Sequence, residues 1–291
     1  MKAKDWFIFI LLGGIWSSSF LWIKIAVQEI GPITLVAWRV LFGLLFGVAV
    51  VLIGRVQLPR RFDVWRPLLI LGISNVAIPF FLISWGEQAI DSAVAAILDA
   101  TVPLFAIVIA HLTLHDDRIT LPKVLGLLLG FLGVVVLMSE DIGTSSGSIL
   151  GQAAVVLASV FYAGSSVYAR KSTENTAGIM RSVGPLVSST AVMWFAAPIA
   201  ESPLRLPQLP ITWIALLWLG ILGSGFAFIL AYYLIHAIGP TRTTMVTFLF
   251  PLGGVILGVG FLGEQLTWQL LAGALLIIAS LAVANLRTRS A

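Results

Sequence analysis

Three side chains carry charge inside otherwise apolar runs, Lys24, Arg39 and Asp99, and each could do chemistry there. An ionisable group in hydrocarbon is expensive, so where one persists it faces a partner, a substrate or a water-filled path. Arg39 falls eight residues inside the run that starts at 31, and Asp99 eight residues inside the run that starts at 91. At about 1.5 Å of rise per residue both lie ~12 Å deep. Equal depth predicts an Arg39–Asp99 ion pair that lowers the cost of burying either group. The alternative is that Asp99 or one of the cations meets the ionic groups of a substrate. Lys24 lies near the end of its run, where it can also snorkel to an interface.

Enzyme chemistry finds no other foothold. There is no Walker loop, no H-E-x-x-H, no G-x-S-x-G and no His/acid group at metal-binding spacing. His111, His115 and His236 fall near the ends of apolar runs and read as interfacial imidazoles. Cysteine is absent, which excludes a disulfide framework, a thiolate metal site and a cysteine nucleophile. No catalytic residue, cofactor or metal is expected.

The elements that must position these groups follow from composition. The 291 residues are 59% hydrophobic and 10% charged, against about 25% charged in a soluble domain. The mean hydropathy of +1.05 agrees. A water-soluble enzyme domain is excluded, and an all-α membrane protein is expected. Hydropathy and Pro/Gly breaks predict ten transmembrane helices over 6–27, 31–54, 66–86, 91–112, 121–139, 149–169, 178–200, 211–235, 240–262 and 267–286. The first run exceeds the roughly 7–15 residues of a signal-peptide core and reads as a retained helix. Pro32, Pro122 and Pro240 stand at helix starts, where a missing N–H is harmless.

Charge placement sets the expected orientation. Fourteen Lys and Arg, from Lys2 to Arg289, fall on one set of loops and termini, and only Arg205 on the other, which holds Glu29, Glu87, Asp91, Glu140, Asp141, Glu201 and Glu264. Positive charge stays inside, so both termini are expected in the cytoplasm of a cell whose inner, plasma membrane the chain spans many times. The net charge of +4 is thus a topology signal, and no nucleic-acid partner is expected. The lipid bilayer is the expected surrounding.

Sliding the chain by 148 residues brings Trp65 onto Trp213, Gly72 onto Gly220, Phe80 onto Phe228, Ala89-Ile90 onto Ala237-Ile238 and Pro103-Leu104 onto Pro251-Leu252. Ser17-Ser18 falls on Ser165-Ser166. This predicts two repeats, residues 1–144 and 145–291, of five helices each. Five is odd, so the halves are expected upside down relative to one another, an architecture of secondary transporters. Equivalent stripes follow at about 100° per residue: Ala77, Phe80, Ser84 and Gln88 on the third helix, and Gly225, Phe228, Tyr232 and His236 on the eighth. With Trp16, Ser17, Ser18 and Phe20 on the first helix, and Tyr162, Ser165 and Ser166 on the sixth, they mix small, aromatic and polar groups. Such faces would suit an amphipathic solute, although small residues also serve helix packing. Pro79, Pro103 and Pro251 lie inside spans, where proline kinks a helix. As repeat mates, Pro103 and Pro251 are candidate hinges. Gly43-x3-Gly47, Gly126-x3-Gly130 and Gly254-x3-Gly258 fit close helix packing and say nothing of oligomeric state.

Trp16-x3-Phe20-x3-Lys24, followed by Gly31-Pro32 and Arg39, resembles the opening of the EamA family of the drug/metabolite transporter superfamily. Ala93 to Met138 and Thr241 to Ala284 are similar to that family's repeated unit, in which a proline-bearing helix leads to Leu-Gly-Glu and a Gly-rich last helix. The second copy keeps Leu262-Gly263-Glu264, whereas the first reads Leu114-His115-Asp116-Asp117. The resemblance implies a ten-helix exporter of small metabolites, commonly amino acids, with aromatic ones suggested by the aromatic-rich spans. It implies a small-molecule partner, and the charges and stripes above make Trp16, Ser17, Phe20, Lys24, Phe80, Ser84, Asp99, Tyr162, Ser166, Phe228 and Tyr232 the residues expected to meet it. A nucleotide-sugar or phosphorylated-metabolite exchanger would need more buried cations than Lys24 and Arg39. An intramembrane enzyme or a channel is the remaining alternative.

Overall fold

The computed structural model describes residues 2–56, 58, 59, 61–113, 121–139, 146–174, 176, 178–203, 205–238, 243 and 245–284. Among them every regular element is helical. In order these are α1 (Ala3–Ala26), α2 (Pro32–Ile53), α3 (Phe62–Leu71), a π-helical segment π1 (Gly72–Ala77), α4 (Ile78–Gly86), α5 (Ser92–Asp99), α6 (Val102–Thr113), α7 (Leu121–Met138), α8 (Ser146–Ser172), α9 (Gly178–Ala200) and α10 (Pro210–Leu217). They continue as π2 (Trp218–Phe226), α11 (Ala227–Ile238), a 3-10 turn (Met245–Phe248), α12 (Leu249–Leu257), π3 (Gly258–Leu262) and α13 (Trp268–Ala284). Among the described residues eight helical stretches are long and apolar enough to cross a membrane, and two shorter apolar ones cover Val246–Leu262 and Trp268–Ser280. The Leu114-His115-Asp116-Asp117 turn, Pro240 and the side chains of Tyr232 and His236 lie outside the described residues.

Where the sequence predicts single helices over 66–86, 91–112, 211–235 and 240–262, kinked at Pro79, Pro103 and Pro251, the structure has interrupted ones, and the cause is local. Pro79 lacks the N–H that would close the turn behind it, and π1 precedes it directly. Asp99 ends α5, and Pro103 stands at the start of α6. The Leu98 carbonyl beside that break accepts from Thr101 Oγ1 (2.6 Å) and Ser159 Oγ (3.3 Å), so the break is tolerated at membrane depth because hydroxyls serve its backbone. In π2 Ser224 Oγ donates to Leu219 O, five residues back (3.0 Å).

The interruptions recur at the 148-residue offset. Shifted so, π1 falls within π2, and the α5/α6 break falls on the junction of the 3-10 turn with α12. Trp65 Nε1 donates to Pro59 O (2.9 Å) and its mate Trp213 to Pro207 O (3.1 Å), which is again the same offset. Gly72 and Gly220 both mark a close crossing: a Cβ on Gly72 would press into the Pro185 carbonyl of α9, and one on Gly220 would stand 2.8 Å from the Arg39 carbonyl of α2.

Small residues set the packing elsewhere too. Gly133 and Gly273 let α7 and α13 approach backbone to backbone, each Cβ position lying 3.1 Å from the other's carbonyl. The remaining apolar surface faces outward, with Phe7 68%, Ile53 84%, Phe195 74% and Phe261 74% exposed. A soluble protein rarely shows so much contiguous apolar surface; a bilayer covers it.

Candidate functional site

Helices α1, α2, α4, α5, π2 and α12 enclose a buried interior with an aromatic side and an ionic side. On the aromatic side Trp16 donates from Nε1 to Gly223 O (3.1 Å), which fixes its ring. Its ring meets Phe228 edge-on at 6.2 Å and Phe250 at 6.3 Å, and Phe20 meets Phe250 at 6.0 Å. Three residues chosen from sequence, Trp16, Phe20 and Phe228, therefore come together, and Phe250, next to Pro251, joins them. The positive edge of one ring against the face of the next makes such contacts worth about 0.5–1.5 kcal/mol each beyond area burial.

On the ionic side Arg39 is 4% exposed. Its guanidinium lies 3.6 Å over the Phe80 ring, and Nε donates to Ser224 Oγ at 3.1 Å. The Arg39–Asp99 ion pair expected from equal depth is not among the contacts of the structure, where Arg39 meets Ser224 and Phe80 instead. The close crossing at Gly220 turns Arg39 toward π2 and α4 rather than α5, and a π-face with a hydroxyl takes the place of the carboxylate. Asp99 is 6% exposed, and its Oδ1 has no hydrogen-bond partner. Arg39, Asp99 and Tyr162 remain within electrostatic reach of one another. Ser84, one turn beyond Phe80, is fully buried with an unpartnered Oγ.

Other sequence candidates have more ordinary work. The Lys24 Nζ reaches the loop end, donating to the carbonyls of Glu87 (2.9 Å) and Ile90 (2.7 Å), and ties α1 to the α4–α5 turn. Ser17 bonds to Gly14 O at 3.3 Å and packs against Gly253 of α12. Ser18 accepts from Trp218 Nε1 at 2.9 Å. Ser166 is exposed and bonds back to Tyr162 O at 2.8 Å, while Ser165 reaches Ser74 Oγ at 2.9 Å. Pro103 and Pro251 stand beside their helix breaks.

Two cavities flank this interior. One of ≈ 490 Å³ lies at the loop end, lined by Lys24, Gln28, Asp91, Gln152, Glu264 and Thr267 among others. One of ≈ 330 Å³ lies between α6, α8 and π1, lined by Ser74, Ile109, Ser165 and Tyr168 among others. Within the aromatic group Phe20 and Phe250 are buried, and Trp16 and Phe228 are half-buried.

Sequence reasoning missed Glu87, which it assigned to a loop. Seven residues after Phe80, a helix returns to within about 20° of the same face. That stripe, Phe80-Ser84-Glu87, was the available signal, and Glu87 is fully buried with neither carboxylate oxygen hydrogen-bonded. It also missed three carboxylates that cap helix starts from distant elements. Glu201 accepts from Ile33 N (2.7 Å), Thr34 N (3.0 Å) and Thr34 Oγ1 (2.6 Å) at the start of α2. Glu264 accepts from Ser92 N (2.7 Å) and Ala93 N (3.0 Å) at the start of α5. Glu29 accepts from Gln208 N, Leu209 N (3.0 Å) and Thr212 Oγ1 at the start of α10. The Thr212 hydroxyl, aided by the two N–H groups, holds the Glu29 carboxyl below its ordinary 4.5 against the opposing effect of burial. Gly263 shows what Leu262-Gly263-Glu264 does here: its left-handed φ of 70° ends π3 and turns Glu264 back onto α5.

Comparisons with known proteins agree with this architecture. The model of the EamA-like transporter family matches residues 5–139 and again 149–286. An uncharacterized transporter of Archaeoglobus fulgidus is 25% identical over 284 residues, covering 94% of this chain and 96% of its own. The uncharacterized inner membrane transporter YedA of Escherichia coli (strain K12) is 29% identical over 258 residues, 87% of this chain and 81% of its own. A solved structure described as "Crystal structure of protein" superposes with a TM-score of 0.72 at 21% identity, over 100% of both chains, and so shares the fold.

Proposed function

The chain belongs to the EamA-like transporter family, and from that premise we propose that it exports small amphipathic metabolites, neutral and aromatic amino acids foremost, by alternating access. It is a membrane transporter rather than an enzyme. It resides as a multi-pass protein in the inner membrane, with both termini cytoplasmic. Counting the two shorter apolar helices as spans gives ten, arranged as inverted repeats 1–144 and 145–291.

The observation that carries the substrate class is the two-sided interior. Trp16, Phe20, Phe228 and Phe250 offer an apolar wall, while Arg39 and Asp99, whose Oδ1 has no hydrogen-bond partner, stand within electrostatic reach of one another. A zwitterion with an aromatic side chain matches both: its ammonium meets Asp99, its carboxylate meets Arg39, and its ring replaces ring-on-ring contacts. Ser84 and Tyr162 serve as polar lining, with Ser17 and Ser166 further along the path. Pro103 and Pro251, at equivalent helix breaks, are the hinges on which the halves flex.

Counterflow in proteoliposomes loaded in parallel with neutral and aromatic amino acids, nucleotide sugars and inorganic cations tests this. Exchange of radiolabelled phenylalanine or tryptophan, reduced at least about tenfold by Asp99→Asn or Arg39→Gln in stably folded protein, is expected. Exchange confined to nucleotide sugars or cations would overturn the substrate class.

A further inference from the structure

The transport path above leaves the Glu87 carboxylate unused. The side chain is 0% exposed at the end of α4, and neither oxygen receives a hydrogen bond. Its charged neighbours come from four elements: Lys24 from α1, Arg39 from α2, Asp99 from α5 and Glu264 from the turn after π3. Helix α8, packed on α4, carries no charged residue between Ser148 and Tyr162. None of these cations is spent on Glu87. Arg39 is taken by Ser224 and Phe80, and Lys24 is held by the backbone carbonyls of Glu87 and Ile90 without an ion pair to the carboxylate.

That arrangement has two states. A carboxylate withdrawn from water must be paired or neutralised, and the neutral acid fits an environment that offers no donors. Once its proton leaves, an anion stands near an ammonium bound only to neutral carbonyls. Lys24 is an ionised donor in either bond, but the carboxylate adds the attraction of opposite charges in a site withdrawn from water, so Lys24 exchanges the carbonyls for the carboxylate. The carbonyls belong to the α4–α5 turn and Lys24 to α1, so the exchange shifts one against the other at the mouth of the ≈ 490 Å³ cavity that Lys24, Asp91 and Glu264 line.

We propose that Glu87 is a proton-binding site whose occupancy decides what Lys24 holds, and that this exchange couples outward passage of substrate to inward return of one proton. The balance is simple: one proton binds the carboxylate from the loop side, and the same proton leaves it toward the other side. The coupling half rests on the transport function above; the proton site itself does not.

Infrared difference spectra between acid and alkaline pH, taken on purified protein in lipid nanodiscs, read the site without any substrate. A carboxylic-acid carbonyl band that vanishes on alkalinisation is expected in the wild type, absent in Glu87→Gln, shifted in Glu87→Asp and retained in Asp99→Asn. Glu87→Gln mimics the neutral acid and is expected to melt no lower than the wild type. In proteoliposomes, wild-type protein should concentrate labelled phenylalanine against a proton gradient toward a limit of about tenfold per pH unit. Glu87→Gln should lose that accumulation while keeping counterflow within about twofold. A band that survives in Glu87→Gln, no band in the wild type, or accumulation driven by sodium instead of protons would overturn the proposal. Wild-type vesicles that exchange no solute would overturn the transport function instead, and the band would still decide Glu87.

Discussion

Replacing Gly220 by alanine puts a single methyl where two helices cross, and its cost can be worked out from the geometry. The added Cβ would lie 2.5 Å from the Phe42 Cβ, 2.8 Å from the Arg39 carbonyl and 3.2 Å from the Gly43 nitrogen. Ordinary contact begins near 3.4 Å, so α2 must retreat by about 0.6 Å at its backbone and 0.9 Å at Phe42. Backbone cannot rotate away as a flexible side chain does, so the upper half of the usual overpacking cost applies, ~2–3 kcal/mol. Removing glycine from a helix returns about 0.5–1 kcal/mol, leaving a net loss of ~2 kcal/mol. At ~2–4 °C per kcal/mol the melting temperature should fall by about 4–8 °C. Gly14→Ala is the control of opposite sign. Nothing lies within 4 Å of its Cβ position, so only the favourable contribution remains and melting should hold or rise slightly. Intrinsic tryptophan fluorescence of detergent-purified protein reads both. A Gly220→Ala protein that melts with or above the wild type would refute the close α2–π2 crossing, and with it the reason Arg39 turns from Asp99.

Other outcomes follow from the same structure. Gly72→Ala, the repeat mate, should melt at least as low as Gly220→Ala, because its Cβ meets the Pro185 carbonyl of α9 more closely. In a chain without native cysteine, Ser202→Cys should react with an impermeant maleimide from outside intact cells and Arg61→Cys should not; the reverse pattern would invert the orientation. Glu29 is held below its ordinary 4.5 by Thr212 and two backbone N–H groups. Its contribution is therefore present above pH 4.5 and lost as pH falls through the lower folded value, so melting of the wild type should drop more steeply below pH 4.5 than that of Glu29→Gln. The double variant Pro103→Ala, Pro251→Ala should slow turnover several-fold with substrate affinity nearly unchanged, and wild-type rates would show the breaks to be static.

Hydropathy made the helices legible because a bilayer imposes length and apolarity on each one, and proline marked where several of them begin or break. The 148-residue correspondence was legible from Trp65, Gly72 and Pro103 because each has a geometric duty that recurs at that offset: the indole bond to a proline carbonyl, the close crossing, the helix break. What spacing cannot carry is direction around the helix axis between different helices. Arg39 and Asp99 share a depth, yet the crossing at Gly220 aims Arg39 at Ser224 and Phe80. Trp16 and Phe20 were visible as aromatic residues on α1, but their meeting with Phe250 depends on how α12 packs on α1. The π segments were invisible for the same reason. Their wider turns answer to Pro79 in one half and to small residues at a tight crossing in the other.

Charge segregation along the chain has a second meaning that the structure supplies. The loops at 27–31, 201–209 and 263–267 are poor in Lys and Arg, which sequence alone reads as orientation. Their acids are also used: Glu29, Glu201 and Glu264 each reach across to the start of a helix far away in sequence and accept its exposed N–H groups. A helix start carries about half a positive charge, and near a membrane surface fewer waters compete for it. One carboxylate per helix start thus replaces the local Ser, Thr or Asp cap that α2, α5 and α10 do not use. Glu201 and Glu264 brace helices of the first half from the second, and Glu29 does the reverse. Glu87 sits at the same end of the bundle without any N–H to receive. Among four buried or half-buried glutamates on that face, three are satisfied by backbone and one is not, and the unsatisfied one is where a mobile proton has work to do.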